Sequence, residues 1–139
     1  CLSRVEDQES GGYFIERWSD DFGITWSEAL KTKVWSPRSP PHLIKLRDGR
    51  ILLSHGYRSD PMGIRAVMSE DGGQTWDVEN TVILRDDGGY FGELLPHGSM
   101  GSDIGYPHSA QLSDGSVLTV YYITLSDKIT HIASTHWNP

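Results

Sequence analysis

The chain has 139 residues, a formal charge of −7 at neutral pH, 37% hydrophobic and 22% charged residues, and one cysteine. This is the balance of an ordinary globular domain; its acidity and the lack of a basic stripe argue against a nucleic-acid partner, and no apolar run is long enough to span a bilayer as a helix. The single Cys1 excludes an internal disulfide and leaves the compartment open, while five Trp and six Tyr suit β-structure and contact with sugars.

In chain order, residues 11–35 read as two strands joined by "SDDFGITW", and residues 40–85 read as four. Those four are "HLIKL", then "ILLSHGY" after the Asp48-Gly49 hairpin, then "IRAVMS", and last "TWDVENTVIL" after a second turn, "SEDGGQTW". Residues 86–105 break the pattern. Residues 105–137 supply three more strands, with "PHSAQLSDGSVLTVYYI" falling on "PHLIKLRDGRILLSHGY" at an offset of 66. No segment sustains a helical period.

The two turns obey one pattern, Ser-x-Asp-x-Gly-x-Thr-Trp, 50 residues apart: Ser19, Asp21, Gly23 and Trp26 in the first, Ser69, Asp71, Gly73 and Trp76 in the second. Ser and Asp side chains bond nearby backbone N–H groups, Gly supplies a positive φ, and Trp packs inward, so the motif staples a hairpin and does no chemistry. Self-similarity at such a period predicts an all-β repeat of four-stranded antiparallel blades, a β-propeller. The units amount to a little over two blades: the end of one (11–35), a complete one (40–85) and an incomplete last one (105–137). Because a closed propeller needs about four to eight, the chain reads as a C-terminal fragment of a longer protein, or as one whose missing strand comes from that protein's N-terminus. Open blade edges expose unpaired strands, so self-association of the isolated chain is expected.

The repeated turns resemble the Asp boxes of the sialidases (neuraminidases), and nearly the whole chain is similar to the last blades of bacterial sialidase-like proteins of this repeat class. The resemblance implies a six-bladed propeller and an exo-glycosidase acting on sialosides or related acidic sugars, with no cofactor. It also implies a tyrosine nucleophile, an exception among glycosidases. The sugar's carboxylate sits on the anomeric carbon and would repel Asp or Glu, whereas a phenol deprotonated by a Glu avoids that repulsion. In the family the nucleophile opens the first strand of the last blade, eight residues before an Asp-Gly turn. Tyr106 stands eight residues before Asp114-Gly115, with Tyr121 in the following strand. This chain has Tyr106-Pro107 where Tyr-Ser is usual, and Tyr121-Tyr122 where Tyr-Glu is usual.

Three arginines from different blades bind the carboxylate in the family, and Arg58, or Arg65 if the intervening loop shifts the alignment, matches one of them. The acid, the Glu and the other arginines belong to earlier blades by the same resemblance, so the isolated chain is expected to be inactive. His42 and His108 occupy equivalent positions after Pro, where either the repeat's packing or contact with sugar hydroxyls would use them. Tyr90, Phe91 and Glu93 precede Tyr106 in the long break, positioned to cover a site or to form a surface excursion. No grouping has zinc spacing and "RDDGGYFGE" fails the calcium-loop pattern, so no metal is predicted. The competing reading is a non-catalytic carbohydrate-binding propeller or an interaction scaffold, since fold alone does not fix function.

Overall fold

The computed structural model describes residues 1–5, 11–36, 38–88, 103–127 and 129–139. Three antiparallel sheets follow one another along the chain. The first holds β1 (Leu2–Ser3), β2 (Tyr13–Glu16) and β3 (Leu30–Trp35); the second β4 (Pro41–Lys45), β5 (Ile51–Tyr57), β6 (Met62–Ser69) and β7 (Val82–Gly88); the third β8 (Ile104–Gln111), β9 (Val117–Thr124) and β10 (Thr130–Trp137). Every strand pairs with its sequence neighbour, and no helix occurs among the described residues. The sheets are blades of a β-propeller fragment. No helix in them is long and apolar enough to cross a membrane.

Local chemistry sets the hairpins. Gly49 at φ +96° closes the β4–β5 turn, where Leu46 and Arg50 bond through their backbones at 2.8 Å and the Asp48 carboxylate accepts from the Arg50 backbone at 3.0 Å. The same arrangement recurs at the β8–β9 turn, with Leu112 bonded to Ser116 at 2.8 Å and Asp114 accepting from the Ser116 N–H at 3.0 Å.

The middle sheet is buried on both faces, which explains the near-continuous burial of β5 and β6. Side chains alternate across a strand. Leu52, Ile64 and Ala66 accordingly join Ile104, Val117, Tyr121 and Ile123 in the core against the third sheet, while Leu53 and Val67 join Phe14, Val34 and Trp76 in the core against the first.

Both Asp boxes form the same network. The Ser69 hydroxyl donates to Asp71 at 2.8 Å and accepts from the Gly73 N–H at 2.7 Å, while the Asp71 carboxylate accepts from the Thr75 N–H and hydroxyl at 2.9 and 2.6 Å. Ser19, Asp21, Gly23 and Thr25 repeat these bonds. The two tryptophans differ: Trp76 is 8% exposed in the core between the first and second sheets, and Trp26 is 47% exposed because no described sheet covers that side of the first.

The hydrogen bonds from Thr75 and Thr25 hold the Asp71 and Asp21 carboxylates down at about 2, against an ordinary 3.8. A carboxylate depressed in the folded state stabilises it fully above the unfolded value and loses that contribution as pH falls through the folded one. The melting temperature should therefore fall as pH drops from about 4 to 2. Asp71→Asn should melt lower at neutral pH and show a flatter acid limb. Calorimetry of both proteins across that range checks this, and superimposable profiles would contradict it.

The fourth strand of the second sheet begins later than the reading of "TWDVENTVIL" as one strand implies. Asp77 turns the chain first, accepting from the Asn80 N–H at 3.2 Å and side-chain amide at 2.9 Å, and the Thr81 hydroxyl donates to the Val78 carbonyl at 2.8 Å. Such a side-chain-to-backbone turn competes with the ladder. At its other end β7 runs on to Gly88, and β8 already begins at Ile104. Tyr90, Phe91 and Glu93 lie outside the described residues.

Candidate functional site

Tyr106 sits on a β-bulge. Gly105 pairs with Tyr122 and His108 with Val120, so Tyr106 and Pro107 together oppose the single residue Tyr121. Tyr106 has φ +49°, a conformation uncommon for a non-glycine residue, and its side chain is 49% exposed while Pro107 is buried. A bulge re-aims side chains, and this one turns the Tyr106 ring outward, onto Tyr122, with centroids 5.7 Å apart and planes 27° from parallel.

The close approach of the second and third sheets brings Arg58 to this point. A Cβ on Gly56 would lie 2.9 Å from the Gly105 Cα and 2.5 Å from the Ser39 hydroxyl, so only glycine fits there. Across this seam Arg58 donates in three directions: Nε to the Ile104 carbonyl at 2.9 Å, Nη1 to the Arg38 carbonyl at 2.8 Å, and Nη2 to the Tyr122 hydroxyl at 3.1 Å. Arg58 is thus a fixed cation at the base of the tyrosine pair. Arg4, just after β1, donates to the same Arg38 carbonyl at 3.1 Å. Two guanidinium groups, one following β1 and one following β5, therefore converge on one carbonyl oxygen.

Tyr122 completes the group. Burial, and then the nearby Asp103 carboxylate, push its phenol up to about 12 against the opposing pull of Arg58. It therefore stays protonated at neutral pH, with its hydroxyl accepting from Arg58. Tyr121 faces the other way: it is 2% exposed in the core, its hydroxyl 2.7 Å from that of Thr135.

The remaining sequence candidates lie elsewhere. Arg65 is 6% exposed, donates to the Arg85 and Pro61 carbonyls at 2.6 and 3.1 Å, and stacks 4.7 Å from the Tyr57 ring centroid. It is not brought to Tyr106. His42 and His108 pair with each other on β4 and β8, ring centroids 4.3 Å apart, and His42 Nδ1 accepts from the Ser109 N–H at 3.2 Å. Burial, and then the neighbouring His108, lower the His42 pKa. Sequence reasoning missed Arg4, Tyr122 and the Arg38 carbonyl. For Arg4 a faint signal exists: Leu2-Ser3 and Leu53-Ser54 are each followed, before an Asp box, by an arginine.

A family model described as a BNR repeat-like domain matches residues 1–119. A crystal structure of a protein of unknown function from Dyadobacter fermentans DSM 18053 is similar at 30% identity over 99% of this chain, with a TM-score of 0.77. The chain spans 34% of that protein's length. No curated protein matches.

Proposed function

The chain belongs to the BNR repeat-like domain family, within the sialidase-like superfamily, and we propose that it supplies the nucleophile and part of the carboxylate clamp of a sialidase-like glycoside hydrolase. The substrate class is a glycoconjugate ending in sialic acid or a related acidic sugar. One observation carries this reading: Arg4 and Arg58 converge on the Arg38 carbonyl, and Arg58 extends from there to the stacked Tyr122–Tyr106 pair. Planar, permanently charged guanidinium groups suit two-pronged recognition of a carboxylate.

In the retaining displacement, the Tyr106 oxygen bonds to the anomeric carbon as the bond to the leaving-group oxygen breaks. Water then attacks the same carbon and releases the tyrosine. The acid that protonates the leaving group and the base that takes the phenol proton are assigned to other blades of a longer protein. Tyr122, neutral and held between Arg58 and Asp103, orients the Arg58 fork. His108, the more exposed of the two histidines, is assigned a contact with sugar hydroxyls.

The test is turnover by the longer protein of a fluorogenic sialoside beside its carboxyl-reduced, neutral analogue. Selective cleavage of the acidic substrate is expected. Equal rates on the two would sink the clamp, and tight binding of the acidic sugar without turnover would reassign the site to a carbohydrate-binding propeller.

A further inference from the structure

A cavity of about 430 Å³ lies between the first and second sheets, lined by residues of β3, β5, β6 and β7. That volume is within the usual range for small-molecule sites, about 300–1,000 Å³. Tyr57 lines it, whereas the next residue, Arg58, reaches to Ile104 of the third sheet. The cavity is therefore a separate place from the Tyr106 group, and a ligand in it would be independent of the function proposed for that group.

Its walls are chemically unusual for this chain. Trp35 and Tyr57 meet edge to face with centroids 5.5 Å apart, and both rings are held: the Trp35 indole N–H donates to the Gly11 carbonyl at 3.0 Å, and the Arg65 guanidinium lies over Tyr57. Lys33 and Arg65 supply two cations, and no carboxylate is among the described residues that line the cavity, although the whole chain carries a formal charge of −7. Arg65 is bonded to backbone carbonyls, with Asp86 acting on it at longer range and no ion pair formed among the described residues. Lys33, on the opposite wall, likewise has no ion-pair partner among the described residues. A buried cation balanced only by neutral carbonyls favours an anion beside it. The Thr81 hydroxyl and the apolar Ile83 side chain complete the polar and apolar sides of the lining.

We infer that this cavity is a second ligand site, for a sugar ring bearing a carboxylate: the ring's C–H face lies on Trp35 and its acid group meets Lys33 and Arg65. Rigid aromatic walls bind at low entropic cost, and the charges select an acidic ring over a neutral one.

Titration of the ¹⁵N-labelled longer protein with methyl β-D-glucuronide, followed at the tryptophan indole resonances, tests this. The Trp35 resonance, identified by its loss in Trp35→Phe, should shift saturably. Methyl β-D-glucoside should bind at least about tenfold more weakly, and Lys33→Gln should weaken glucuronide binding by a similar factor, the loss of one charge-assisted contact. Arg58→Lys should leave this titration unchanged. The inference is overturned by a Trp35 resonance that does not respond, by equal affinity for the neutral glucoside, or by binding that survives Lys33→Gln and is abolished by Arg58→Lys. The last result would assign the glucuronide to the Tyr106 group instead. Amide spectra of each variant, expected to keep the dispersion of the parent, separate lost binding from lost fold.

Discussion

Tyr106→Phe in the longer protein is expected to lower sialoside turnover by about a thousandfold or more, because under the proposed mechanism the substitution removes the attacking oxygen and keeps the ring. The ring can be kept at little cost to the fold: Tyr106 is 49% exposed, and its described partner is the stacked face of Tyr122, which a phenyl group also provides. Folding and binding of an acidic-sugar inhibitor should both persist, so kcat falls while the melting temperature and inhibitor affinity hold. Tyr122→Phe separates the two tyrosines. Tyr122 stays protonated between Arg58 and Asp103, so its loss should loosen the Arg58 fork and raise KM more than it lowers kcat. Steady-state kinetics beside a melting curve for each variant decide the matter. Near-normal turnover in Tyr106→Phe would leave Tyr106 as a channel-lining aromatic.

Arg58→Lys should cost kcat/KM about tenfold to a hundredfold on an acidic substrate. The guanidinium group reaches the Ile104 carbonyl, the Arg38 carbonyl and the Tyr122 hydroxyl at once. One ammonium on a flexible stem cannot span three directions, so the charge stays and the geometry goes. The loss should appear mainly in KM and should largely vanish on the carboxyl-reduced substrate, which has no carboxylate to lose. Arg4→Lys should act in the same direction through the shared Arg38 carbonyl. An equal loss on acidic and neutral substrates would mean that Arg58 serves the seam between sheets rather than the ligand.

What could be read from sequence was what local chemistry determines. The Asp boxes repeat their bonds almost identically because Ser, Asp, Gly and Thr satisfy one another within a single turn. The burial of their tryptophans was not legible, because it depends on which sheet lies alongside. Of the adjacent Tyr121 and Tyr122, sequence gives no choice. The pairing of β8 with β9 turns Tyr121 into the core and Tyr122 toward Arg58. Arg4 escaped notice because the strand before it is only two residues long, too short to show a period. Arg58 and Arg65 both looked usable, and only the closeness of Gly56 to Gly105 shows why Arg58 alone crosses to the third sheet.

The most direct measurement is covalent trapping. A fluorinated sialosyl inactivator, whose electron-withdrawing fluorine slows release of the glycosyl-enzyme more than its formation, can be incubated with the longer protein and the product digested for peptide mass analysis. A Tyr106 nucleophile predicts stoichiometric loss of activity and one sugar adduct, on the phenolic oxygen of Tyr106. An active protein that is inactivated with the adduct on any other residue, or that turns over sialosides without forming one, would contradict it.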